Sequence, residues 1–182
     1  TDGTAVLGLG HVGPEASMPV MEGKAMIYRA FADLNAYPML LKTLDVNAIV
    51  ETILRVSPSF GIIHLEDISA PRCFQILEQL ERHLDRPVFH DDQYGTALVV
   101  LAGLINALRI SDRKAPDQRV VINGAGAAGL AIARVLLDFG FQDILICDRQ
   151  GAIHSDRSDI NDYKRRVVEQ IGTDGRKGSL AE

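Results

Sequence analysis

The chain has 182 residues, 47% of them hydrophobic, which is enough to bury one sizeable core or two small ones. Its formal net charge is −5 without a long block of one sign, which argues against a nucleic-acid-binding protein. The longest apolar stretch, 97–108, is too short to span a bilayer, so we expect a buried helix and no membrane partner. Two isolated cysteines in apolar surroundings predict reduced thiols and a cytoplasmic location.

Strand signals and helix signals alternate along the chain. Strands are predicted at 5–9, 38–41, 61–65, 88–90, 119–122 and 143–147. Helices are predicted at 18–31, 45–55, 71–84, 97–108, 130–139 and 161–171. The alternation predicts an α/β fold with parallel strands. A polar stretch at 111–118 marks the expected boundary between an N-terminal unit, 1–112, and a second unit, 113–182.

A GxGxxG motif near the start of the chain, Gly8–Gly13, lies in the wrong context for a dinucleotide site. Asp33 lies 20 residues further on, but it precedes the next strand-like run when it should end one. Pro14 and Pro19 are also expected to interrupt the start of any following helix. The motif therefore predicts a tight glycine turn with another role.

Two acidic pairs, Glu66-Asp67 and Asp91-Asp92, each follow directly on a short apolar run. Loops at the carboxyl ends of parallel strands are where α/β folds bind ligands. Carboxylates that converge there repel one another unless a cation neutralises them, and hard cations such as Mg²⁺ or Mn²⁺ prefer oxygen ligands. The alternative is that Asp67 and Asp92 cap helices. Spacing alone leaves both interpretations open.

Other ionisable and aromatic residues near these pairs have two interpretations each. Lys24 lies in a mostly apolar stretch and is either a proton-transfer group or a side chain that reaches solvent. His64 and His90 flank the acidic pairs and are expected to be partly buried and hydrogen-bonded. Tyr28 and Tyr94 are expected to be packing residues.

The most informative segment is Val120–Gly129, VVINGAGAAG, in which a strand-like run enters a GxGxxG turn and a helical pattern leaves it. Gly124 permits the tight turn, Gly126 allows the backbone to approach a pyrophosphate, and Gly129 allows close helix–strand packing. The amide groups at the helix start favour an anion. Because this context is complete, the segment predicts a Rossmann-type dinucleotide-binding unit.

Asp148 ends the next strand, 19 residues after Gly129, and is placed to accept a hydrogen bond from a ribose hydroxyl. Its charge disfavours a 2′-phosphate and so favours NAD. Arg149 follows it directly and would accommodate the phosphate of NADP. The residues favour NAD and leave NADP open.

Five motifs together resemble the malic enzymes, specifically the smaller-subunit bacterial type. They are TDGTAVLGLGHVG (1–13), PVMEGKA (19–25), LEDISAPRCF (65–74), PVFHDDQYGTA (87–97) and VVINGAGAAG (120–129). The resemblance covers essentially the whole chain. It implies a parallel-sheet N-terminal unit followed by a Rossmann domain, both truncated, so we expect a fragment of a longer protein.

The resemblance also implies roles for site residues. Lys24 would be the general base, with Asp91 beside it tuning this lysine or the bound water. Glu66, Asp67 and Asp92 would bind Mg²⁺ or Mn²⁺. Thr96 would lie near the nicotinamide. The pyrophosphate loop would consist of Gly124, Ala125, Gly126, Ala127, Ala128 and Gly129, and Asp148 remains the ribose ligand.

The implied reaction is the oxidative decarboxylation of malate to pyruvate and CO₂ with NAD or NADP. Lys24 takes the C2 hydroxyl proton as hydride leaves for the nicotinamide, and the metal then stabilises the enolate formed as CO₂ departs. The alternatives are a malolactic-type enzyme that retains its cofactor and releases lactate, and a non-catalytic nucleotide-binding fragment. A homodimer or higher homo-oligomer is expected from the resemblance.

Overall fold

A computed structural model describes residues 1–172 and 176–179 and divides the chain into two compact units, Thr1–His90 and Asp91–Glu182. The first contains α1 (Pro14–Ala32), α2 (Val46–Val56), β1 (Ile63–Leu65), α3 (Arg72–His83) and β2 (Val88–His90). The second contains a π-helical turn (Asp91–Gly95), α4 (Thr96–Ser111), β3 (Arg119–Asn123), α5 (Ala127–Phe139), β4 (Asp143–Asp148), β5 (Gly151–Ala152) and α6 (Asp162–Ile171). The predicted α/β class is confirmed.

The first unit is built on the parallel pair β1–β2, in which Leu65 pairs with His90. Helices α2 and α3 pack against each other, and α3 also packs against β2. The Asp45 side chain accepts a hydrogen bond from the Ala48 amide at 2.7 Å, which confirms the predicted cap at the start of α2. The core of this unit is apolar: its buried residues include Ile49, Val50, Ile53, Phe74, Ile76, Leu77 and Leu80.

Helix α1 is longer than its sequence predicts, because Pro14 and Pro19 do not interrupt it. Pro14 occupies the first helical position, where the amide hydrogen has no acceptor within the helix in any case. Gly13 precedes it with φ +83°, a conformation that favours glycine. The remaining proline, Pro19, lies inside the helix and removes one backbone donor.

The predicted strand at 5–9 is wrong. Val6 and Gly10 form an isolated antiparallel bridge, and the chain reverses between them. Gly8 and Gly10 have φ values of +79° and +72°, which residues with a Cβ rarely adopt. The predicted tight glycine turn is therefore confirmed, and it overrides the apolar pattern around it.

The predicted strand at 38–41 is also wrong. This segment has no ladder partner among the described residues, although the Leu41 amide donates to the Thr1 carbonyl at 2.9 Å. The Thr1 amino group donates in turn to the Met39 carbonyl at 3.1 Å. Two hydrogen bonds to the start of the chain thus take the place of a sheet ladder.

In the second unit, β4 pairs in parallel with β3 and antiparallel with β5. The predicted strands at 119–122 and 143–147 are confirmed, whereas the two-residue strand β5 gives too short a pattern to be predicted. Helices α5 and α6 pack against each other. The buried core residues of this unit include Leu130, Ala133, Leu136, Phe141, Ile144, Ile146, Val167 and Val168.

Helix α4 differs from its prediction in two respects. It packs against α5, so the second unit begins before α4, whereas we expected the boundary at 112/113. It is also not buried: Ala97 is its only buried residue, and Val99 is 74% exposed. With the preceding turn, the helical stretch Asp91–Ser111 is long and apolar enough to cross a membrane by length and composition alone. The apolar run 97–108 is part of this longer helical stretch.

Candidate active site

Two acidic residues of the first unit directly follow β1. Glu66 and Asp67 are 7% and 4% exposed, which is unusual for carboxylates because burial removes them from water. Asp67 adopts φ +54°, in the left-handed region that non-glycine residues rarely occupy. Its carbonyl oxygen accepts hydrogen bonds from the Thr4 and Ala5 amides, both at 3.0 Å. The glycine-rich start of the chain therefore holds this acidic loop in place.

Lys24, in the middle of α1, lies against the acidic loop. Its Nζ is 3.0 Å from Glu66 Oε2, and the two side chains are 26% and 10% exposed. The alternative in which this lysine simply extends to solvent is therefore wrong. Within the first unit the structure brings together Lys24, Glu66 and Asp67.

Sequence reasoning missed one member of this cluster. Tyr28, expected only to pack, has its hydroxyl 2.5 Å from His64 Nδ1. His64 Nε2 is in turn 2.6 Å from Glu66 Oε2, so the expectation of a partly buried, hydrogen-bonded histidine is confirmed. Two spacings in the sequence could have indicated these contacts. Lys24 and Tyr28 are one helical turn apart, and His64 and Glu66 are two residues apart along an extended segment, so each pair lies on one face.

The remaining predicted catalytic and metal residues belong to the second unit. Asp91 and Asp92 open the π-helical turn and are half-buried, and Thr96 is the first residue of α4. The turn packs against α5, the helix that follows the glycine-rich loop. Single π-helical turns next to α-helices are frequent at functional sites.

The glycine-rich loop connects β3 to α5 as predicted. Gly124 has φ +134°, and a Cβ on Gly129 would lie 1.8 Å from the Gly124 carbonyl oxygen. Gly126 precedes the first helical residue, Ala127, and within the described chain no side chain caps this helix start. The first amides of α5 are thus available to an anion. Ala125 and Ala128 complete this loop and helix start.

Asp148 ends β4 and is held by two cations of its own unit. Arg157 donates to Oδ1 at 2.9 Å and to Oδ2 at 3.2 Å, and Lys164 donates to Oδ2 at 2.7 Å. Burial raises the pKa of this carboxyl, but the hydrogen bonds from Arg157 and Lys164 outweigh burial and hold the pKa well below its usual range. Its side chain is 16% exposed. Neither cation was identified from the sequence as a partner of Asp148, since both lie in the loop and helix after β5.

We expect Gly129→Ala to lower the free energy of unfolding by about 1–3 kcal/mol, because the added methyl group overlaps the Gly124 carbonyl oxygen. Gly126→Ala is the matched control: a Cβ there has nothing within 4 Å, and its φ of −91° suits alanine. Urea unfolding followed by circular dichroism measures both. Equal stability of the two variants would contradict the close approach of Gly129 to the Gly124 carbonyl oxygen.

The low pKa of Asp148 makes a pH-dependent contribution to stability. Below the usual carboxyl pKa of about 3.9, the unfolded chain binds a proton at Asp148 before the folded chain does. The stabilisation from its ion pairs is therefore present above about pH 4 and is lost as the pH falls further. We expect Asp148→Asn to reduce the slope of unfolding free energy against pH in this acidic range. The measurement is urea unfolding of both proteins at a series of acidic pH values.

Comparisons with known proteins agree with this geometry. The profile "Malic enzyme, N-terminal domain" matches residues 1–48 and 42–81, and "Malic enzyme, NAD binding domain" matches residues 93–177. The bifunctional malic/malolactic enzyme of Bacillus subtilis (strain 168) is 51% identical over 100% of this chain and 45% of the relative. The NAD-dependent malic enzyme of Geobacillus stearothermophilus is 52% identical over 100% of this chain and 38% of the relative.

A solved structure gives the same result for the fold. The crystal structure of the NAD-dependent malic enzyme from Thermotoga maritima matches with a TM-score of 0.93 at 43% identity, covering 99% of this chain and 48% of that one. The chain thus spans less than half the length of each of these proteins. Because the two domain profiles together match nearly all of its residues, the chain belongs to the malic enzyme family.

Proposed function

We propose that this chain supplies the general base, the metal ligands and the pyrophosphate loop of an enzyme that oxidatively decarboxylates malate to pyruvate and CO₂ with NAD or NADP. The observation that mainly supports the proposal is the contact of Lys24 with buried Glu66, 3.0 Å apart, beside buried Asp67. A cation and two carboxylates in one buried cluster are suited to proton transfer at a metal-bound hydroxyl.

The metal site of this proposal consists of Glu66, Asp67 and Asp92, which bind Mg²⁺ or Mn²⁺. The donor set fits a hard cation, since all three are carboxylates. Glu66 and Asp67 are both buried, and the Nζ of Lys24 lies 3.0 Å from Glu66 Oε2.

The dinucleotide site of this proposal is the loop Gly124–Gly129 with the start of α5. The close approach of Gly129 to Gly124 and the uncapped helix start fit a pyrophosphate. Thr96, in α4, would lie near the nicotinamide. Asp148 would accept a hydrogen bond from a ribose hydroxyl. Because Arg157 and Lys164 contact Asp148, the proposal includes NADP as well as NAD.

In the reaction, Lys24 Nζ takes the proton of the malate C2 hydroxyl as hydride leaves C2 for the nicotinamide, and Asp91 tunes this proton transfer. The bound cation supplies Lewis-acid polarisation of the C2 oxygen. Lys24 must release a proton before it acts, and the carboxylate of Glu66 keeps its amino group oriented toward the cluster. Burial of Glu66 and Asp67 limits the access of water to these two carboxylates.

A malolactic reaction is the second candidate, because a relative at 51% identity is named a bifunctional malic/malolactic enzyme. It would use the same residues but retain the cofactor and release lactate. A non-catalytic binding fragment is the third candidate. We further propose a cytoplasmic location without membrane or nucleic-acid partners, and a homodimer or higher homo-oligomer.

Malate-dependent reduction of NAD and of NADP tests the proposal, on this chain and on a form extended to the length of its relatives. We expect reduction that requires Mn²⁺ or Mg²⁺ and is abolished by EDTA. Lactate formation without net reduction would identify the malolactic reaction. Dinucleotide binding without turnover in either form would contradict the proposal and favour the third candidate, a non-catalytic binding fragment.

Substitution of the proposed base gives a sharper test in the extended form. We expect Lys24→Gln to lower kcat by about 100-fold or more, because the hydroxyl proton loses its acceptor. The matched control is Lys42→Gln: Lys42 is 82% exposed and pairs with Glu15 on the surface. Unchanged kcat in Lys24→Gln would remove this residue from the mechanism.

A further inference from the structure

We propose that Tyr28 and His64 are positioning residues that orient the carboxylate of Glu66 for metal binding, an inference that rests on the proposed metal site. The three side chains form a continuous hydrogen-bonded chain inside the first unit. Tyr28 Oη lies 2.5 Å from His64 Nδ1, and His64 Nε2 lies 2.6 Å from Glu66 Oε2. Neither Tyr28 nor His64 is among the proposed metal ligands or catalytic groups.

The direction of these hydrogen bonds follows from the chemistry of the end groups. An ionised carboxylate only accepts, so His64 Nε2 carries the hydrogen and donates it to Glu66. A neutral imidazole then presents Nδ1 as an acceptor, and the Tyr28 hydroxyl donates to it. The tyrosine thus selects the one tautomer of His64 that can hold Glu66.

The imidazole ring is also fixed by packing. Its centroid lies 5.5 Å from that of Tyr28 in an edge-on arrangement of 87°, and 5.5 Å from that of Phe89. Tyr28, His64, Glu66 and Phe89 line one cavity of about 670 Å³ whose walls are largely apolar. Hydrogen bonds with restricted access to water are stronger and better aligned than exposed ones.

These contacts determine which oxygen of Glu66 is presented to a cation. Oε2 accepts from His64 and is also 3.0 Å from Lys24 Nζ. Among the described residues, both contacts fall on Oε2, so Oε1 is the oxygen for the metal. Because His64 also holds Oε2, the orientation of the carboxylate does not depend on Lys24 alone. Partners that orient metal-binding groups commonly contribute 10- to 100-fold, by order of magnitude, to metal affinity.

The test is a titration of the 182-residue chain with Mn²⁺ alone, followed by the electron paramagnetic resonance signal of free Mn²⁺. We expect His64→Leu to weaken Mn²⁺ binding about 10- to 100-fold. Tyr28→Phe, which removes only the hydroxyl, should weaken it about fivefold. His64→Gln should restore most of the affinity, since the glutamine amide nitrogen can donate from the position of Nε2. Thermal unfolding followed by circular dichroism verifies that each variant folds.

Tyr37→Phe is the matched control for Tyr28→Phe: Tyr37 borders the same cavity but is 68% exposed, so its affinity for Mn²⁺ should not change. If the unsubstituted chain binds Mn²⁺ and Tyr28→Phe binds it equally well, the positioning role is overturned and the metal site stands. If the unsubstituted chain binds no Mn²⁺, or if Glu66→Gln binds it with unchanged affinity, the proposed metal site fails and the positioning role with it.

Discussion

The acidic loop depends on a buried ion pair at the very start of the chain. Asp2 is 1% exposed, and its Oδ2 lies 2.6 Å from Nη1 of Arg72 at the start of α3. The same guanidinium donates to the Thr4 hydroxyl at 2.8 Å, and Thr4 donates its amide hydrogen to the carbonyl of Asp67. Arg72 thereby links the first turn of α3 to the segment that holds Asp67 in its left-handed conformation. Removing one partner of such a pair would leave an uncompensated buried charge, which is strongly destabilising.

This constraint explains why the acidic residues tolerate burial. The backbone at Asp67 is fixed from outside the cluster, by the Thr4 and Ala5 amides, so its conformation does not depend on a ligand. Glu66 is fixed from inside it, by His64 and Lys24. Neighbouring buried carboxylates repel each other, and a rigid frame keeps Glu66 and Asp67 from relaxing apart. These contacts preorganise the two carboxylates, because the free energy needed to bring like charges together is supplied when the chain folds.

The sequence predicted those features that depend on local chemistry. The glycine-rich loop at Gly124 and the cap at Asp45 were correct, because a tight turn and a helix start depend on a few adjacent residues. The strand at 5–9 was wrong because apolar alternation cannot show that glycines reverse the chain. The burial of α4 was wrong because an apolar composition does not specify a partner surface. The role of Tyr28 was missed because its contact with His64 joins residues 36 positions apart.

Asp148 and Glu66 carry the same functional group, a carboxylate, in different surroundings. Asp148 accepts from two cations of its own unit, Arg157 and Lys164, and Arg157 also pairs with Asp159, so two carboxylates and two cations balance each other. Glu66 is contacted by Lys24 and by the imidazole of His64, and it lies beside a second buried acid, Asp67. The negative charge of Asp148 is neutralised by its own ion pairs, whereas Glu66 lies beside a second buried carboxylate, that of Asp67. The charge that an acidic residue presents to its surroundings is therefore set by its neighbours.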